Sequence, residues 1–185
     1  LCMEQYRYIL KASRVPGEKR DEYFTANHRD CKHHIVIFYN EHVFKLDVSD
    51  ETGKLYSSDK IVQAIEKLMA DYSGDKGDNI GIITTGPRDE VAGLYSRLCK
   101  SELNKRNLDL IKSAVIAVCI DQEDREMREI IHSLLCSDGK NRFFDKSCQL
   151  IIDARGEVGV NLEHTAVDGS TWVNVLSYID QDLGD

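Results

Sequence analysis

Ala114-Val115-Ile116-Ala117-Val118-Cys119-Ile120-Asp121 is a run of seven apolar residues closed by a carboxylate. A strand with no polar face is expected in the middle of a sheet, covered on both sides. Helical patterns flank it. Leu103 to Lys112 leads in, and Glu123 to Cys136 follows, with Met127, Ile130, Ile131, Leu134 and Leu135 at helical spacing.

Further toward the N-terminus, Pro87 opens a helix with Val91, Leu94, Tyr95 and Leu98 on one stripe. Asn79 to Thr85 reads as β-rich, and Ser73 to Asn79 as a polar loop. Before that, Ser57 or Ser58 caps a helix whose Ile61, Ile65, Leu68, Met69 and Tyr72 share a face. His34 to Asn40 and Val43 to Val48 read as two strands joined through Glu41 and His42, although neither residue favours positive φ. Pro16-Gly17 breaks the chain ahead of a polar stretch to about His33, and the first dozen residues are helix-like. Toward the C-terminus a hairpin is expected, with arms Arg142 to Ile152 and Glu157 to His164 about the turn Asp153 to Gly156. Trp172, Val175, Leu176 and Ile179 then form a last helical stripe. Interspersed helices and strands indicate one layered α/β or α+β domain over residues 1–185.

The chain has 185 residues, 42% hydrophobic and 30% charged, enough for a sizeable core and a polar surface. A net charge of -8 argues against a broad nucleic-acid surface. No apolar run approaches the ~20 residues of a membrane-spanning helix, so membrane association is not indicated. The start, Leu1-Cys2-Met3-Glu4, has no secretory-signal character and no initiator methionine, which suggests an excised piece of something longer. Six cysteines without a Cys-x-x-Cys pair point to a reducing compartment, with Cys119 and Cys148 as small buried hydrophobes.

Several patterns resemble functional sites and are better explained otherwise. His28, Cys31, His33 and His34 form no second ligand set, so no metal site is expected. His28-Arg29-Asp30 lacks every other part of a kinase catalytic loop. Gly74 to Asp78 lacks the strand–loop–helix context of a phosphate loop.

His164 is different. Val158, Val160, Leu162 and His164 alternate with Gly159, Asn161 and Glu163, so a period of two puts His164 on the aliphatic face at the strand exit. If that face is buried, desolvation keeps the imidazole neutral, as a general base requires. Asp168 and Gly169 follow, a carboxylate to fix the loop and a glycine to turn into the next helix. From spacing alone, such a histidine is more often a hydrogen-bonded core residue or a surface residue than a catalyst.

Glu163-His164-Thr165-Ala166-Val167-Asp168-Gly169 resembles the Glu-His-(small)-x-x-(acid)-Gly signature of choline/carnitine O-acyltransferases. Asn141-Arg142-Phe143-Phe144-Asp145-Lys146-Ser147 resembles the same family's Asn-Arg-Trp-Phe-Asp-Lys-Ser. Met3-x-Gln5-Tyr6, Arg14-Val15-Pro16-Gly17, Ile82 to Thr85 and Val118 to Asp121 resemble further blocks, in family order over nearly the whole chain. Two positions depart: Phe143 stands for the usual Trp, and the turn Ser137 to Lys140 is shorter than in the acetyltransferase branch.

The resemblance implies a mixed β-sheet flanked by helices, in the chloramphenicol acetyltransferase-like fold of CoA-dependent acyltransferases. It implies transfer of an acyl group between CoA, as co-substrate, and carnitine, with choline as the alternative acceptor. His164 matches the general base, and Asp168 and Arg142 match an acid–arginine pair bracing its loop. The family's Ser-Thr-Ser block and most CoA and carnitine contacts are missing from the chain, and an oxyanion donor is worth ~10² to 10³ in rate. The expectation is therefore the histidine-bearing portion of a two-domain enzyme, inactive alone. A chloramphenicol acetyltransferase-like enzyme and a truncated, non-catalytic interaction module are the competing readings. The family occurs in mitochondria, peroxisomes, the endoplasmic reticulum and bacterial cytoplasm, which leaves the compartment open.

Overall fold

The computed structural model describes residues 3–27 and 32–183, with only the backbone of Met127. A 3-10 helix (Met3–Tyr8) precedes strands β1 (Ala12–Val15), β2 (Glu22–Thr25), β3 (His34–Tyr39) and β4 (His42–Asp47). Helix α1 (Ser58–Asp71), a second 3-10 helix (Ile80–Thr84), α2 (Arg88–Leu98) and α3 (Glu102–Ser113) follow. Then come β5 (Ala117–Ile120), α4 (Met127–Leu135), β6 (Cys148–Ile152), β7 (Val158–Leu162) and α5 (Gly169–Leu183).

Five strands form a mixed sheet in the order β4-β3-β5-β6-β7, with β3, β5 and β6 parallel and antiparallel strands at both edges. The all-apolar run lies at the centre, as predicted, and every residue of β5 is buried. Period-two alternation divides the sheet between two layers. Val36, Phe38, Ala117 and Cys119 meet Leu108 and Ile111 of α3, with Tyr95, Leu98 and Leu134 packed against them. Ile35, Ile37, Val118 and Ile120 face Ile61, Ile65, Leu68 and Met69 of α1. A smaller cluster of Ile9, Cys148, Val167 and Trp172 joins the N-terminal segment to α5.

The β3–β4 turn falls one residue earlier than expected, on Asn40-Glu41. Both have positive φ, 53° and 67°, the signature of a two-residue primed turn that asparagine tolerates well. The stretch Asn79 to Thr85 holds the 3-10 helix Ile80–Thr84 rather than a strand. Its Gly81 lies so close to the backbone of Arg142 that a Cβ there would stand 1.8 Å from the carbonyl oxygen. The first hairpin arm is also shorter than predicted: residues 142–147 are irregular, and β6 begins only at Cys148.

The polar stretch after Pro16 contributes β2, which pairs with β1 in a separate two-stranded sheet. Lys11, at a φ of 54°, ends the helix-like N-terminal segment and opens β1.

Candidate active site around His164

The segment that carries His164 is held from both sides by the N-terminal segments. Strand β7 stops at Leu162, and α5 starts at Gly169, so His164 sits in the six-residue connection between them. Ahead of it, the buried Glu163 donates its amide to the Ser147 carbonyl at 3.1 Å. Its carboxylate accepts from the Thr165 amide at 3.0 Å and from the Thr165 hydroxyl. The same carboxylate faces Arg14 of β1 at 3.4 Å. Arg14 is fixed in turn by Asp145, at 2.9 Å, and by Asp21 at 3.4 Å, and Arg88 approaches the same two carboxylates at 3.0 and 2.7 Å. The Tyr23 phenol is buried beside this cluster; burial pushes its pKa well up, and the Glu163 charge adds to the effect.

Behind His164, Asp168 caps α5. Its Oδ1 accepts from the Ser170 amide at 3.0 Å and the Ser170 hydroxyl at 3.1 Å. Those two hydrogen bonds, with the nearby His164 ring, hold the Asp168 carboxyl below the usual carboxylate range. Gln5 reaches over from the first 3-10 helix. Its Oε1 accepts from the Asp168 amide at 3.0 Å and from the Thr171 hydroxyl at 2.6 Å.

The His164 side chain itself is exposed. The condition set for a desolvated His164, a buried strand face, is therefore not met. Val158 is 59% exposed and Val160 and Leu162 are only half-buried, because β7 is an edge strand that α5 covers at one end. The chain has also left the strand two residues before His164. Its ring lies by the start of α5, with Nε2 3.9 Å from where a Cβ on Gly169 would stand.

The expected pair of Arg142 with Asp168 is likewise replaced. Arg142, 1% exposed, makes a two-pronged bond to Asp121 at 2.9 and 2.7 Å and donates to the Ser133 hydroxyl at 2.9 Å. Burial pushes the Asp121 carboxyl up, but Arg142 and Arg125 outweigh it and hold the group below its ordinary value. The physical reason is placement: Asp121 leaves the end of β5 directly beside Arg142, whereas Asp168 stands exposed at a helix start, satisfied by Ser170. Arg142 thus ties β5 to α4.

Among the sequence decoys, His34 Nε2 donates to the Leu110 carbonyl at 2.9 Å and burial lowers its pKa, which marks a structural residue. His28 through Cys31 lie outside the described residues. Burial pushes the Cys119 thiol up to about 12 and the Cys148 thiol up to about 11, the behaviour of inert core cysteines. Among the described residues no group of three or more His, Cys, Asp or Glu could hold a metal ion, and no helix is long and apolar enough to cross a membrane.

Sequence reasoning assigned no role to Gln5, Arg14 or Glu163. The signal was present in the Met3-x-Gln5-Tyr6 and Arg14-Val15-Pro16-Gly17 blocks, but their contact with residues some 150 positions downstream is a property of the fold alone.

Comparison with known proteins converges on one family. The model of the Choline/Carnitine o-acyltransferase family matches residues 1–185. The chain is 31% identical to carnitine O-acetyltransferase of Homo sapiens, over 97% of its own length and 30% of that protein's. It is 32% identical to mitochondrial carnitine O-palmitoyltransferase 2 of Bos taurus, over 98% of its own length and 27% of that protein's. The chain thus spans under a third of the length of these curated relatives. With the family model matching residues 1–185, the chain belongs to the choline/carnitine O-acyltransferase family.

Proposed function

We propose that this chain is the histidine-bearing portion of an enzyme that moves acyl groups between CoA and carnitine, with His164 as general base. The observation that carries the reading is the presentation of His164. It is not hydrogen-bonded into the core like His34; it stands outward on a loop whose flanking residues, Glu163 and Asp168, are both anchored. A base that must meet a substrate hydroxyl needs such access and such fixation.

In the forward direction the His164 imidazole takes the proton of the carnitine hydroxyl as the oxygen attacks the thioester carbonyl. The tetrahedral intermediate collapses with loss of the CoA sulfur, which recovers the proton from the imidazolium. No covalent acyl-enzyme is formed. In reverse, the same ring deprotonates the CoA thiol. Asp168 supports the loop as the cap of α5, and Arg142 supports it at a distance by holding β5 and α4 together.

On this reading water exclusion and the oxyanion donor come from elsewhere in the polypeptide, in a CoA-dependent acyltransferase fold whose second domain closes the site; the exposure of His164 supports it. Exposed apolar side chains on α5, namely Val173, Tyr178, Ile179 and Leu183, support such a neighbour. By itself the chain is expected to be inactive.

The test is thiol release from acetyl-, octanoyl- and palmitoyl-CoA with carnitine or choline, for the full-length protein and its His164→Ala variant. The expected loss is roughly 10²- to 10⁴-fold with the fold intact. A variant that keeps most of the activity removes His164 from the reaction, and preference for choline over carnitine reassigns the acceptor.

A further inference from the structure

We infer that Gln5 and Arg14 are positioning residues, a two-point clamp that sets the orientation of His164 from the N-terminal segment. This rests on the reading of His164 as the base. The two contacts bracket the histidine. Arg14 reaches the residue before it through the Glu163 carboxylate, at 3.4 Å, and that carboxylate also captures the amide of the residue after it, Thr165, at 3.0 Å. Gln5 holds the far end of the loop, at the Asp168 amide and the Thr171 hydroxyl.

The arrangement is built rather than incidental. Glu163 is 7% exposed and Thr171 fully buried, so each arm of the clamp holds one buried group, while Asp168 and the His164 ring lie at the surface. Arg14 cannot drift, because Asp145, itself 2% exposed, grips it at 2.9 Å. Behind Asp145, the Ser13 hydroxyl donates to the Asp145 carbonyl at 2.7 Å and the Arg14 amide to the same carbonyl at 2.7 Å. The N-terminal segment is thereby stapled to the loop that precedes β6, and the clamp inherits that rigidity. A loop of six residues with an exposed ring would otherwise sample many orientations, and displacement of a catalytic group by about 1 Å can cost on the order of 10²-fold.

The experiment uses the full-length protein in two backgrounds, native and His164→Ala. Gln5→Leu removes the acceptor with little change in size, and Arg14→Lys keeps the charge while losing the guanidinium fork. Gln5→Glu restores an acceptor oxygen as the conservative rescue. In the native background each disabling change should lower kcat roughly 10- to 100-fold with KM nearly unchanged, and Gln5→Glu should recover most of the loss. In the His164→Ala background the same changes should have no further effect, because the clamp acts only through the ring. Equal losses in both backgrounds, or an unchanged kcat in the native one, overturn the clamp. Amide hydrogen exchange at Thr165 and Asp168 gives the independent arm: exchange should accelerate in Arg14→Lys and Gln5→Leu respectively. If His164→Ala itself retains activity, the base assignment fails, while unchanged exchange would refute the clamp on its own.

Discussion

From Asn141 to Gln149 nearly every side chain is turned inward and the Asn, Arg, Asp, Lys, Ser and Gln side chains are all bonded, whereas from Glu163 to Ser170 the flanks are anchored and the central histidine is left in solvent. In the first segment Arg142 holds Asp121 and Ser133, and Asp145 holds Arg14 and Arg88. Lys146 donates to the carbonyls of Ala12 and Lys112, and Gln149 links the Phe143 amide to Asn161. In the second, the Glu163 and Asp168 carboxylates each bond to the residue two positions on, and Arg14 and Gln5 reach Glu163 and the Asp168 amide from the N-terminal segment. Both segments carry dense sequence motifs. The difference teaches that a motif rich in charged residues can be architecture when each charge has a buried partner. Chemistry is sought where the partners surround a group and leave it free.

The largest effect that would sharpen this contrast is on stability. Arg142→Met should destabilise the fold by about 3–5 kcal/mol, because it leaves Asp121 buried without its main partner. Arg125, at 2.5 Å from Asp121, remains and should place the loss toward the lower end. Urea denaturation measures it, and adding Asp121→Leu should restore much of the loss by removing the orphaned charge. A change within experimental error in Arg142→Met would break the contrast, since the buried pair would then not be holding β5 to α4.

A second effect concerns Lys146, fully buried, whose pKa burial lowers from 10.5 to about 7. The unfolded chain therefore binds more protons than the folded one between about pH 7 and 10.5. Stability should rise with pH across that window, by at most about tenfold in the folding constant per pH unit. Below about pH 7 the cost of burying the cation is fully present. A neutral amine still donates its two N–H bonds to Ala12 and Lys112, so no contact is lost as the proton leaves. The difference between the native protein and Lys146→Met, measured by denaturation at several pH values, isolates this effect. A flat difference would mean that the ammonium is as well solvated inside as out.

How much of this was legible follows from what each signal depends on. The centre of the sheet was readable because Val118, Cys119 and Ile120 are apolar whichever face they occupy. The alternation in β3 follows from the same local chemistry. Strands β1 and β2 were not readable, since they are four residues each, carry Arg14 and Glu22, and gain their place from pairing with one another. The run Ile80 to Thr84 has strand-like composition and no strand neighbour; its close approach to Arg142 at Gly81 decides its shape. At the site, sequence pointed to His164 and to the capping acid Asp168. It could not tell that Arg142 would find Asp121, because the chain carries many carboxylates and only the fold chooses among them. Exposure of His164 was equally hidden, for period-two reasoning holds only while the strand continues and both edges are covered.

The smallest effect tests the other side of the contrast. If Asp168 works as a cap and not as a buried electrostatic partner, its charge should matter little. Asparagine caps helices about as well as aspartate, so Asp168→Asn should keep the bonds to Ser170 and change transfer by no more than about threefold. Asp168→Ala, which removes the acceptor, should cost more. The pH dependence has a definite sign. Because Ser170 holds the Asp168 carboxyl below the usual range, its contribution to stability is present above the unfolded value and disappears as pH falls through the folded one. The native protein should therefore lose a little stability in acid that Asp168→Asn does not lose, and the two denaturation profiles should converge there. A hundredfold loss of transfer in Asp168→Asn with an unchanged fold would reverse the conclusion. The carboxylate would then be acting on the His164 ring through its charge, and the exposed loop would be as electrostatically committed as the buried segment against which it is set.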